Sequence, residues 1–269
     1  MGLDLVITVL PTLEESLSNP RTSSGGKVEL VVSARPGSQW EYSGGSYLIL
    51  ELLVEEVSGM TFEEYMSDEF FNPLSMATST YRSINNFENN SGSYDRYGEP
   101  AAIYQYASSA ATGFATSSAD LSKFVLAQMP GLETESVLSP DTVKSMREPH
   151  GRTSGIDVWG LGTILYAPTK NGDYVFGHDG GNDPAINSTA RINPDNGDAI
   201  VILETGHLSL ATNIGSQWVL WQTGYPDVLD SDSVIRSMFL PTILGLIIIL
   251  LATVFLGVGR FRQVSSGRE

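Results

Sequence analysis

The sequence has no cysteine and only three histidines, and Lys27, Lys123, Lys144 and Lys170 are the only lysines among its fifteen basic residues. Without cysteine there is no disulfide framework and no thiolate metal site, a composition open to a prokaryotic protein of any compartment. His150, His178 and His207 lie far apart without ligand spacing, and no H-E-x-x-H is present, so neither a metal nor a cofactor is expected. The shortage of basic residues against 31 acidic ones leaves a net charge of −16. With no basic stripe to neutralise phosphates, a nucleic-acid partner is excluded. An acidic, lysine-poor surface suits a salt-tolerant organism, because hydrated carboxylates keep a protein soluble, and it suits an ordinary exported domain equally. Also missing are a G-x-S-x-G elbow, a Walker loop and a strand-borne G-x-G-x-x-G.

What is present begins with one long apolar run. Residues 237–259 carry no charge, enough to cross a hydrocarbon core of ~30 Å. Asp227, Asp230 and Asp232 precede the run, and Arg260, Arg262 and Arg268 follow it. The positive-inside rule then puts 260–269 in the cytoplasm, 226–236 as an acidic stalk, and the rest outside the cell membrane as a single-pass protein. The amino terminus does not match that topology. Met1–Ser16 lacks a basic region, carries Asp4 in its apolar run and meets Pro11 early, so it is a poor signal peptide. The expectation is that the start of a longer protein is missing.

Residues 1–36 read as an irregular remnant, and residues 37–225 as the folded part. From Gly45 to Val57 the apolar residues are too dense for one stripe, which predicts a helix buried on most sides and ended by Gly59. Thr61 and Glu64 form a capping-box pattern for a second helix, stopped at Asn72-Pro73. Residues 77–112 show no period and suggest a long loop over a cleft. Ser117 with Asp120 caps a third helix, and Ser139-Pro140 opens a fourth. The period then turns to strands in TILYAP, DYVFGHDG, STARIN and DAIVILETG, with Pro194–Asp198 as a hairpin turn. A last helix spans about Leu208–Thr223. Strands joined by tight turns are antiparallel, so the class is α+β.

Two places stand out chemically. Tyr42-Ser43-Gly44 follows Pro36-Gly37 and Trp40 and opens directly into the first apolar helix. His178-Asp179-Gly180-Gly181 ends an apolar strand, where two glycines allow a ligand close to the backbone. Ser43 suits a helix cap, Asp179 a solvated position, and His150 and His207 structural ones.

These segments carry a resemblance. Pro-Gly, an aromatic residue, Tyr-Ser-Gly, a helix ending Ser58-Gly59, Pro73-Leu74-Ser75-Met76, TGFATSSADLSKF, LSPDTVKSM, WGLGTILY and GHDGGN…NPDNGDAIVIL follow in one order. That order resembles the β-lactamase-related serine hydrolases: class C β-lactamases, penicillin-binding DD-peptidases and related esterases. The likeness covers roughly residues 30–225 and implies a β-lactamase/transpeptidase-like fold, an antiparallel sheet covered by helices beside a helical block. It also implies roles. Tyr42 matches the tyrosine that exchanges protons with a nucleophilic serine. His178 matches the strand position that tunes that tyrosine and the substrate carboxylate. Ser43 and Gly44 would face substrate, Gly180 would keep the strand clear of it, and the Gly181 N–H would be an oxyanion donor.

Two departures qualify that implication. Gly44 stands where amide-hydrolysing relatives place asparagine, which suits an esterase, a D-amino-acid peptidase or a protein without catalysis. The nucleophile helix with its Ser-x-x-Lys has no counterpart before Tyr42. The one literal match, Ser24-Gly25-Gly26-Lys27, places two glycines in a helix start at a cost of about 1 kcal/mol each, and reads as chance. The expectation is the carboxy-terminal part of a membrane-anchored serine hydrolase that opens an ester, D-peptide or β-lactam amide, inactive without an activated serine. The alternatives are a non-catalytic membrane-tethered protein that binds peptidoglycan or peptide, and a split protein whose serine–lysine helix comes from a separate chain.

Overall fold

The computed structural model describes residues 12–20, 26–27, 29, 31–32, 34–81, 90–102, 109–129, 137–153, 155–182 and 184–266. Met1–Pro11, Ser24 of the Ser-x-x-Lys match, and residues 82–89 and 103–108 of the expected loop lie outside them.

Local capping sets most helix starts. Thr12 and Glu15 form a capping box that starts α1 (Leu13–Ser18), inside the stretch expected to be irregular. Ser43 accepts from the Ser46 N–H at 3.2 Å and starts α2 (Gly44–Ser58), which Gly59 ends in the left-handed conformation. The expected box at Thr61 and Glu64 starts α3 (Phe62–Met66), which runs on into a π-helical turn at Ser67–Phe71. A short α4 (Ser109–Thr112) interrupts the region expected to be loop. Ser117 caps α5 (Ser118–Leu126) and Ser139 caps α6 (Pro140–Met146), each as its sequence predicts.

Six antiparallel strands follow as a simple meander: β1 (Gly151–Thr153), β2 (Ile156–Trp159), β3 (Ile164–Pro168), β4 (Tyr174–Asn182), β5 (Ile186–Asn193) and β6 (Asp198–Thr205), in that spatial order. The four longer ones are those the alternation predicts. β1 and β2, of three and four residues, are too short to show a period. The β5–β6 hairpin closes at the expected turn, with Asn193 opposite Asp198. Helix α7 (Leu210–Thr223) lies across the sheet, and α8 (Val228–Ser266) follows.

The sheet alternation sorts its residues between two cores. Leu165, Phe176 and Ile192 pack against Val125 and Met129 of the α5 segment. Ile164, Tyr166 and Val175 pack on the other face, against Val219 of α7. A third cluster, Phe71, Leu74 and Met76, fills the helical block. The layers are thus helices, sheet and helix.

Two expectations are corrected. Helix α2 is not buried on most sides: of its residues only Glu51 is buried, while Ile49, Leu50 and Leu53 are more than half exposed or close to it, and Val57 is 78 % exposed. The helices that pack on it, α1, α3 and α4, are six, five and four residues long, too short to surround four turns. Within the segment expected as an acidic stalk, Asp227 is buried and α8 starts at Val228. Asp179, expected in solvent, is tied to a buried arginine, Arg191. Within α8, Met238–Phe255 is long and apolar enough to cross a membrane, and none of it is buried against the rest of the chain.

Candidate active site

The Tyr42 turn is placed by packing of aromatic rings. Gly37 adopts φ 76°, and the Ser38 N–H closes the turn on the Arg35 carbonyl at 3.0 Å. The residues that follow bring Trp40 onto Trp159 at the end of β2, with ring centroids 5.2 Å apart. Gly151 makes this stacking possible: a Cβ there would overlap the Trp40 ring and lie 2.8 Å from the Trp159 Cβ. Two residues on, Tyr42 meets Trp159 edge-on at 5.5 Å. Such offset and edge arrangements are those aromatic quadrupoles favour. Tyr42 nevertheless stays 62 % exposed.

Strand β4 supplies the opposite wall. His178 packs edge-on against Trp159 at 5.5 Å, and its ring lies 6.3 Å from that of Tyr42. Its Nδ1–H donates to the Asp179 carbonyl at 2.6 Å. Since Phe176 points toward α5 and Val175 toward α7, alternation puts His178 and Gly180 on the α5 side and sends the Asp179 side chain to the α7 side. There it meets Arg191 at 2.8 Å and Thr189 at 2.5 Å. A Cβ at Gly180 would run into Ser188 Oγ of β5, whereas one at Gly181 would meet only the Ile186 carbonyl oxygen, in ordinary contact at 3.9 Å. The Gly180 carbonyl accepts from Asn187 Nδ2 at 3.0 Å, which steadies the strand end.

The two stretches singled out by sequence therefore meet in space, and Trp159 is the residue between them that the sequence did not mark as part of the site. Ser43 is occupied as the helix cap, and Gly44 is the first residue of α2. His150 donates its backbone N–H to the Trp159 carbonyl at 2.8 Å, and His207 Nδ1 accepts from Ser209 and Leu210, capping α7. Burial pushes the Tyr47 hydroxyl up, with a further push from Tyr42. Burial likewise raises the Glu51 carboxyl, against the pull of the Ala110 N–H that it accepts at 2.9 Å. Among the described residues, no group of three or more His, Asp or Glu side chains could hold a metal ion.

Comparison with known proteins gives this arrangement a context. No curated protein matches the chain. Among solved structures, it resembles the octameric penicillin-binding protein homologue from Pyrococcus abyssi, with TM-score 0.62 and 22 % identity over 81 % of this chain and 50 % of that one. The penicillin-binding protein from Bacillus halodurans gives TM-score 0.59 and 21 % identity, covering 70 % and 58 % respectively. The β-lactamase/D-alanine carboxypeptidase from Pseudomonas syringae gives TM-score 0.60 and 16 % identity, covering 73 % and 63 %. The chain thus spans half to under two thirds of these proteins, and at such identities the likeness is one of fold. The family model described as beta-lactamase matches residues 28–215, most of the chain, and the protein therefore belongs to the beta-lactamase family.

Proposed function

We propose that this chain carries the substrate cleft of a membrane-anchored serine hydrolase of the β-lactamase and DD-peptidase type, and that alone it does not turn over substrate. The convergence of Tyr42 and His178, whose rings lie 6.3 Å apart and both pack on Trp159, supports this most directly. In that role Tyr42 relays a proton between a seryl oxygen and the leaving group. With Nδ1–H held by the Asp179 carbonyl, His178 offers Nε2 as the atom that accepts a proton. The Gly181 N–H stabilises the oxyanion. Gly44, with no side chain to bind an acylamino group, favours an ester or a D-peptide over a β-lactam amide.

Inactivity follows from nucleophile chemistry. A seryl hydroxyl attacks at neutral pH only when a base removes its proton. The sequence has a single Ser-x-x-Lys, Ser24–Lys27, interrupted by two glycines. The second part of the proposal is topology: Met238–Phe255 spans the cell membrane, Arg260 and Arg262 stay in the cytoplasm, and the cleft faces outward.

The test has two arms on the full chain. A peptide ending in D-alanyl-D-alanine is expected to shift the NMR signals of both Tyr42 and His178, and a chromogenic ester to be hydrolysed no faster than in buffer. Shifts confined to residues away from these two rings would contradict the cleft. Hydrolysis abolished by Tyr42→Phe would contradict the inactivity.

A further inference from the structure

The side chain behind the site strand is the most deeply buried charge among the described residues. Arg191 of β5 is 0 % exposed, on the sheet face opposite His178. Its Nη2 donates to Asp179 at 2.8 Å, its Nε to Thr189 at 2.8 Å, and its Nη1 to Asp227 at 2.5 Å. Its guanidinium carbon lies 3.8 Å from the centre of the Tyr166 ring. Helix α7 crosses this group at Gly215, where a Cβ would lie 2.7 Å from Arg191 Nε.

Asp227 is the residue that joins this group to α8. It is 1 % exposed, and its Oδ1 accepts from the Leu229 N–H at 2.8 Å, at the first turn of the apolar helix. Its Oδ2 accepts from Ser216 of α7 at 3.0 Å as well as from Arg191. One guanidinium thereby holds β4, β5 and the root of α8 together. The Asp179 that it grips from behind is the residue whose carbonyl holds the His178 imidazole in front.

A buried ion group of this kind is a poor source of net stability, because replacing it with packed apolar side chains often costs nothing. Its hydrogen bonds are directional, however, and a planar guanidinium fixes two carboxylates in one geometry. We infer that Arg191 and Asp227 are positioning residues that lock the root of α8 to the strand presenting His178, so that the setting of the apolar helix and the setting of the site strand change together. The inference rests on the site described above, but its test uses no substrate, so its failure and that of the proposed function are separable.

The experiment is hydrogen exchange on the full chain in lipid nanodiscs, read by mass spectrometry, together with the NMR position of the His178 imidazole. Asp227→Asn, nearly isosteric, and Arg191→Met are expected to speed exchange at least tenfold in two segments at once, 174–182 of β4 and 228–236 of α8. Segment 151–159 of β1 and β2 is expected to stay unchanged. The His178 signal is expected to move in both variants, and Arg191→Lys to restore part of the protection in both segments. If Arg191→Met does not fold, Asp227→Asn carries the test. Faster exchange in only one segment, an equal rise across the chain, no change, or an unmoved His178 signal would each overturn the inference.

Discussion

Gly151 lies directly beneath the indole of Trp40, with no room between them for a methyl group.

Gly151→Ala is expected to push Trp40 off Trp159 and release the Tyr42 turn that follows. Overpacking of this kind costs about 1–3 kcal/mol. Urea denaturation measures the loss, and a red shift in tryptophan emission reports the displaced ring. Unchanged stability and emission would show that Trp40 has another place to go.

Asp120 gives the clearest dependence on pH. It sits at the start of α5 and accepts from the Thr78 N–H and hydroxyl at 2.7 Å each and from Lys123 at 2.8 Å. Burial alone would raise its carboxyl, but these bonds outweigh burial and hold it below the usual carboxylate range. A carboxyl depressed in the folded state stabilises the protein above the unfolded value, near ~3.9, and that contribution disappears as pH falls through the folded value. Asp120→Asn is expected to cost about 1–3 kcal/mol at pH 7 and less at pH 3. Denaturation at the two pH values checks this, and an equal loss at both would contradict it.

The exposed face of α2 predicts tolerance. Leu53→Glu and Val57→Lys are expected to change stability by less than about 0.5 kcal/mol, as for surface positions without special contacts. Thermal melts measure it. A loss of several kcal/mol would mean that this face is covered in solution.

Helix α8 predicts partition into lipid. The chain is expected to float with vesicles through alkaline carbonate washing. Ile248→Asp, at the middle of the apolar run, disfavours insertion by roughly 2.5–3.5 kcal/mol and is expected to reduce the floated fraction. A chain that stays with the aqueous fraction would contradict the membrane assignment.

The sequence was legible where short-range chemistry decides. Ser43, Thr61, Ser117 and Ser139 announce their helices because a cap needs only a hydroxyl and the next turn of backbone. β3 to β6 announce themselves through alternation. The pairing of Tyr42 with His178 was legible only through a family resemblance, since no local pattern brings those residues together. What stayed hidden depends on distant partners. An arginine between Ala190 and Ile192 in an alternating strand looks like an exposed charge until Asp179 and Asp227 are seen around it. Asp227 looked like stalk for the same reason. The apolar density of α2 was real, but the number of neighbours available to bury it cannot be read from the helix itself.

The central proposal is a serine-hydrolase cleft in a chain that alone does not turn over substrate. The most direct measurement is intact-mass analysis of the full chain after incubation with a fluorescent penicillin and with a fluorophosphonate, followed by peptide mapping. The account predicts an unmodified mass with both probes. A stoichiometric adduct mapped to a serine, and lost in Tyr42→Phe, would contradict it.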